Sequence, residues 1–151
     1  MNAILREVPQ MDTLTRFAID EQTSQLLRRA YQRATSLFAE QFGVDGLTPM
    51  QFAALCKLHD CGEVSQNLLG RMIAMDPATS QGVMRRLMDQ GLVTRRDDPQ
   101  DRRRTLLSLT SEGRRVVAAS FSLGHQVNEA LLAPLSAQER ATFLELLHKL
   151  I

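Results

Sequence analysis

Apolar positions recur at helical steps over almost the whole chain. Leu27, Ala30, Tyr31, Ala34, Leu37, Phe38 and Phe42 follow at intervals of three and four, which predicts a long first helix from about Leu14 to Phe42. GVDG breaks it. Thr48 and Pro49 then read as an N-cap with proline at the first helical position, opening a second helix over MQFAALCKLHD that ends near Gly62. Ser65 caps a short helix over SQNLLGRMIAM, with Leu68, Leu69 and Met72 as its apolar stripe. Asp76 and Pro77 repeat the cap-plus-proline start for PATSQGVMRRLMDQ, which Gly91 terminates. Two short helices across a connection of about three residues have helix-turn-helix spacing.

After Gly91 the period changes. LVTRR and TLLSLT are β-prone runs separated by DDPQDRR, whose Asp-Asp-Pro sequence forms turns, so a hairpin is expected directly behind the second helix of the pair. A helix from Thr110, with Glu112 in its first turn, then runs to about Ala133. The last helix opens on Ser136 and Glu139, a capping box, and presents Phe143, Leu144, Leu147, Leu150 and Ile151. The predicted fold class is mainly α, a helix-turn-helix with a small β-hairpin wing. A chain of 151 residues is expected to form one domain.

Charge sharpens this picture through its distribution. The net charge is only +1, yet sixteen of the eighteen basic residues are arginine and seven of those lie between Arg85 and Arg104. Four aspartates, at positions 89, 97, 98 and 101, share that window. A local excess of this kind suits a surface that faces phosphates, and equally a solvated charged loop. In the second helix of the pair, Ser80, Val83 and Leu87 fall on the inward face. That leaves Thr79, Gln81, Arg85 and Arg86 outside, where glutamine can pair with adenine and arginine with guanine or phosphate. Ser65 and Gln66, at the start of the first helix of the pair, complete the candidate DNA-facing set on the helices. A mid-helix glycine, Gly82, costs about 1 kcal/mol relative to alanine. Close approach of the backbone to DNA and a helix–helix contact explain it equally well.

The hairpin leaves the helix at Gly91, so its tip, with Arg102, Arg103 and Arg104, is expected beside the adjoining minor groove. Asp101 is expected to hold the Arg103 guanidinium in one orientation. Leu107 and Leu109 are expected to pin the returning strand to the helices.

These residues resemble a known family. LTPMQFAALCKL followed by SQNLLGRMIAMDPATSQGVMRRLMDQGLVTRRDDPQDRRRTLLSLTSEGRR is similar to the MarR family of winged-helix transcription regulators, through GLV-x-R, the DPxDRR wing and LxLTxxG. The resemblance implies a winged lobe over 47–110 and dimerisation helices over 13–46 and 111–151, interleaved in a homodimer. It also implies binding to a pseudo-palindromic double-stranded operator, usually as a repressor, and release by a small molecule or oxidant. By position, Arg103 is the wing arginine and Asp101 its partner, while Thr79, Gln81, Arg85 and Arg86 map to the recognition helix. Gly82 departs from the family, which often has a larger polar residue there. SQNLLGRMIAMDPATSQGV also resembles a subgroup that controls degradation of aromatic and N-heteroaromatic acids.

An aromatic carboxylate needs a cation or hydrogen-bond donor among apolar neighbours. Arg16, Arg28, Tyr31 and His59 are the polar candidates, near Phe17, Phe38 and Phe52; each arginine reads more readily as a surface ion pair, and His59, at a helix end, as a partner of the helix dipole. Cys56 and Cys61 offer an alternative, thiol-based sensing, although Cys56 sits in an apolar stretch that suits core packing. The methionines, Met72, Met75, Met84 and Met88 among them, suit core filling. Two cysteines make neither a disulfide framework nor a zinc pattern, no cofactor fingerprint or catalytic constellation occurs, and no apolar run reaches the roughly 18 residues a membrane span needs. With no secretion signal, a cytoplasmic location is expected. The functional classes are therefore an effector-responsive DNA-binding regulator, a winged-helix protein-interaction module, and, least supported, an enzyme.

Overall fold

A computed structural model describes residues 18–43, 46–101 and 103–151. The chain divides into two compact units, Met1–Gln32 and Arg33–Ile151, with the boundary inside the first helix. The helices are α1 (Thr23–Phe42), α2 (Pro49–Cys61), α3 (Gln66–Met72), α4 (Pro77–Asp89), α5 (Ser111–Leu132) and α6 (Ala137–His148). The strands are β1 (Glu63–Ser65), β2 (Val93–Asp97) and β3 (Thr105–Leu109), in the antiparallel order β1-β3-β2.

In the first unit the expected helix start at Leu14 lies outside the described residues, and α1 begins later than the apolar spacing predicts. Ile19–Glu21 form a single 3-10 turn, and Gln22 is extended. The Ala18 carbonyl accepts from the Glu21 amide at 3.1 Å and from Gln22 Nε2 at 3.3 Å, so local bonds satisfy it. Gln22 Nε2 takes the carbonyl that the Gln22 amide would take in a helix, and α1 begins at Thr23.

The second unit follows its punctuation closely. Thr48 and Gln51 form a reciprocal capping box under Pro49, and Ser136 and Glu139 form another at α6. Asp76 caps α4, and the helix stops in a Schellman motif. Gly91, at φ 69°, donates to the Met88 carbonyl while Leu92 donates to that of Leu87, each at 2.9 Å. Leu92 and Val93 then enter the core with Ala54, Leu55, Leu58, Leu69, Val83, Met84, Leu87, Leu107, Leu109 and Val117.

Two local expectations need correction. The wing sheet has a third strand: β1 pairs Val64 with Leu107, a contact that a run with one apolar residue does not announce. Helix α3 stops at Met72 rather than Met75 because Ala74 turns into the left-handed region at φ 52°. With only seven residues, α3 buries Leu69 and Gly70, while Leu68 and Met72 are exposed, so neither belongs to a buried stripe.

Thr110 joins wing to helix. Its hydroxyl donates to the Gly91 carbonyl at 2.7 Å and accepts from the Gly113 amide at 2.9 Å, capping α5. Its own amide donates to the Leu92 carbonyl at 3.1 Å. A Cβ on Gly113 would lie 2.0 Å from that carbonyl oxygen, so the residue must be glycine for α5 to start this close to the strand. These contacts give LxLTxxG its physical meaning.

Candidate nucleic-acid interface

Helix α4 buries Ser80, Val83, Met84 and Leu87 and leaves Thr79, Gln81, Arg85 and Arg86 exposed, as the spacing predicts. Thr79 is less free than expected. Its hydroxyl donates to Asp76 Oδ2 at 2.5 Å, and its amide donates to Oδ1 at 3.0 Å. These bonds hold the Asp76 carboxyl below the usual carboxylate range, the Thr79 hydroxyl contributing most. Thr79 thus offers a methyl group and a lone pair to a ligand, while Asp76 offers a fixed anion.

The wing tip is built by its two aspartates. Asp98 is buried to 9% exposure; its amide donates to the Arg104 carbonyl at 3.0 Å, and its Oδ1 accepts from the Gln100 amide at 2.9 Å. The Arg104 amide donates to the Asp101 carbonyl at 2.8 Å, closing the turn. Asp101 is the partner of Arg103, though through the backbone: its Oδ1 accepts from the Arg103 amide at 3.0 Å. The expectation that it grips the guanidinium is corrected. An aspartate two residues ahead bonds the main chain readily, and here it shapes the loop while the Arg103 guanidinium stays exposed.

The arginine cluster is partly neutralised. Arg96 forms a two-pronged pair with Glu63 at 2.8 and 2.6 Å, and Arg104 lies 3.7 Å from Asp98. Among the described residues Arg85, Arg86, Arg95 and Arg103 have no carboxylate within ion-pair distance. Arg102 lies outside the described residues.

Between wing and helix pair lies a polar concavity of about 380 Å³ lined by Ser65, Gln66, Asn67, Arg71, Arg103 and Arg104. Ser65, Gln66 and the two wing arginines are the residues expected on this surface; Asn67 and Arg71 join them without a signal in the sequence. Arg71 belongs with them because α3 carries it one turn and a half beyond Gln66, a relation that only the packed position of the wing reveals. A second concavity, about 520 Å³, runs between α3 and α4 past Gln66, Arg71 and Ser80. Ser80 Oγ is buried there without a hydrogen-bond partner among the described residues.

The expected effector residues are distributed more widely. Arg16 and Phe17 lie outside the described residues. Arg28 and Tyr31 belong to the first unit and are exposed. In the second unit Phe38 stacks on Phe42 at 3.9 Å, and Phe52 tilts against both at 5.8 and 5.2 Å. His59 stands apart from this group, two turns further along α2, in a T-shaped pair with Phe121, ring centroids 5.2 Å apart. A cavity of about 390 Å³ adjoins the aromatic group, with Phe42, Leu47, Leu92 and Val116 as apolar walls and Gln90 and Ser120 as polar ones. Of these only Phe42 was prominent in the sequence, as a helix-face residue. Gln90 Oε1 accepts from Gln51 Nε2 at 3.3 Å, which leaves the Gln90 amide hydrogens as donors.

Cys56 packs partly buried against the core, and burial, followed by the charge of Asp60, pushes its thiol pKa up. Cys61 is exposed at the end of α2. A raised thiol pKa disfavours the reactive thiolate, so Cys56 suits packing better than sensing.

The model of the MarR family matches residues 47–105. Over 137 residues the chain is 39% identical to the HTH-type transcriptional repressor NicR of Pseudomonas putida, covering 91% of this chain and 87% of that protein. Its fold superposes at a TM-score of 0.85 on BpsR of Bordetella bronchiseptica, at 36% identity over 89% of this chain and 96% of that one. DNA binding by BpsR is regulated by 6-hydroxynicotinic acid. PcaV of Streptomyces coelicolor, solved with its natural ligand, gives 0.81 at 33% identity, covering 86% and 92% of the two chains.

Proposed function

This chain belongs to the MarR family of DNA-binding transcriptional regulators, and we propose that it is a repressor whose two copies grip a pseudo-palindromic operator and leave it on binding a small aromatic acid. The carrying observation is the concavity between wing and helix pair, where the uncompensated Arg103 faces Arg71 and the polar start of α3. In this reading α4 enters the major groove with Gln81, Arg85 and Arg86, and Arg103 enters the flanking minor groove. Ser65, Gln66, Asn67 and Arg71 meet the phosphates between them, fixing register. Residues 47–110 form the DNA-binding lobe, 13–46 and 111–151 the dimerisation helices, and the protein acts in the cytoplasm.

The acid is supported by likeness and by shape. NicR is a repressor, BpsR responds to 6-hydroxynicotinic acid, and PcaV holds a natural ligand. The cavity beside Phe42 has the apolar walls and sparse donors that a flat carboxylate or pyridone needs, although Arg28, Tyr31 and His59 are not among its lining residues.

A mobility-shift titration on the DNA upstream of the coding sequence tests the first half. Binding is expected to be tight and to weaken steeply with salt. Arg103→Ala is expected to cost roughly tenfold or more in affinity. Arg114→Ala is expected to cost far less, because Arg114 is committed to the Leu109 carbonyl at 2.9 Å. Equal, negligible losses from both would remove Arg103 from the interface. For the second half, 6-hydroxynicotinate and benzoate-type acids are added to the preformed complex and to the free protein. Release together with a raised melting temperature is expected; no effect from any acid would overturn the effector class and leave the DNA reading standing.

A further inference from the structure

Gly82 is the residue of α4 that packing does not explain. It lies mid-helix and is not among the glycines with positive φ, so its backbone is one that any residue adopts. Glycine is the poorest helix former after proline. Among the described residues a Cβ at Gly82 would meet nothing within 4 Å, whereas one at Gly70 would stand 3.0 Å from Ser80 Oγ. The helix–helix contact therefore belongs to Gly70, and among the described residues no turn or neighbour requires a glycine at position 82.

At 100° per residue Gly82 points about 150° away from the mean direction of Ser80, Val83, Met84 and Leu87, which face the core. It is flanked by Gln81 and Arg85 on one side and by Thr79 and Arg86 on the other, all exposed. The missing side chain thus leaves a dent at the centre of the face that carries the recognition residues.

We infer that Gly82 sets operator specificity: the bare backbone lets α4 settle against base-pair edges on the floor of the major groove, and any side chain there holds the helix away. This rests on the DNA-binding reading above. It explains why a helix accepts a poor helix former where the protein itself makes no use of the space. Binding to non-cognate DNA rests on phosphate contacts such as those assigned to Arg71, which need no base-pair edge.

The test uses full-length Gly82→Ala and Gly82→Gln, both to good helix formers. Each is expected to raise the melting temperature by about 2–4 °C. Operator affinity is expected to fall at least tenfold for alanine and further for glutamine, with low-salt binding to a non-cognate duplex unchanged. Wild-type operator binding by both variants overturns the inference alone. Equal losses from both also overturn it, since they would assign the glycine to helix flexibility rather than to space, and a parallel loss on non-cognate DNA would do so by making the effect general. If the wild type itself fails to discriminate operator from non-cognate duplex, the DNA-binding reading falls and takes this inference with it.

Discussion

Ser80 lies where α3 and α4 touch, close against Gly70, its hydroxyl buried without a hydrogen-bond partner among the described residues. A buried unsatisfied hydroxyl costs about 1–3 kcal/mol, so Ser80→Ala is expected to raise the denaturant midpoint by an amount in the lower part of that range. A drop would mean that the hydroxyl finds a partner in solution. Asp76 gives a residue-scale prediction with a sign. Its folded carboxyl titrates below its ordinary value because Thr79 bonds the ionised form. The stability it contributes is therefore present above the unfolded value, about 3.9, and lost as pH falls through the lower folded one. Carboxyl NMR is expected to find Asp76 titrating below that value and returning toward it in Thr79→Val. The same sign holds for Glu112, through Arg115, and for Glu139, through the Ser136 cap. Most of these capping residues were legible in the sequence, since caps are local. The mode in which Asp101 meets Arg103 was not, because a carboxylate near an arginine can take either its guanidinium or its amide, and only the turn geometry decides.

At the scale of elements, helix starts, the hairpin and the inward face of α4 follow from caps, Gly91 and apolar spacing. What escaped the sequence depends on distant contacts or on short runs. β1 exists because β3 offers an edge to Val64, and α3 is too short for its apolar stripe to have a period. The late start of α1 reflects the Gln22 side chain taking the Ala18 carbonyl, which a count of apolar positions ignores. The arginine-rich window was visible, yet which of its described arginines are ion-paired was not, because Glu63, 33 residues before Arg96, neutralises that side chain. The junction of wing and α5 carries a sharp prediction. Gly113→Ala would press a methyl into the Leu92 carbonyl, and overpacking of this kind costs about 1–3 kcal/mol, occasionally more. Chemical denaturation is expected to register that loss. In the same assay Gly124→Ala should be milder, since its clash is with the Phe52 ring, which can move, rather than with backbone.

At the scale of the whole molecule, helix α6 poses the remaining physical question. None of its residues is buried, and Phe143, Leu144 and Leu146 are 40%, 40% and 54% exposed. A 12-residue helix draws little stability from propensity alone, so an apolar face of this size needs something to cover it. In the proposed reading the cover is a second copy. That ties the far end of the chain to DNA binding, because a pseudo-palindrome is held tightly only when one copy raises the effective concentration of the other. Leu146→Glu combined with Phe143→Ser is expected to give a monomer by sedimentation while circular dichroism stays helical. Operator affinity should then fall by about a hundredfold or more, the scale on which linked sites outperform single ones. The salt slope should fall to about half, since each copy neutralises its own set of phosphates. A monomeric variant that keeps wild-type affinity and slope would mean that one copy suffices, and the dimeric grip would have to be abandoned.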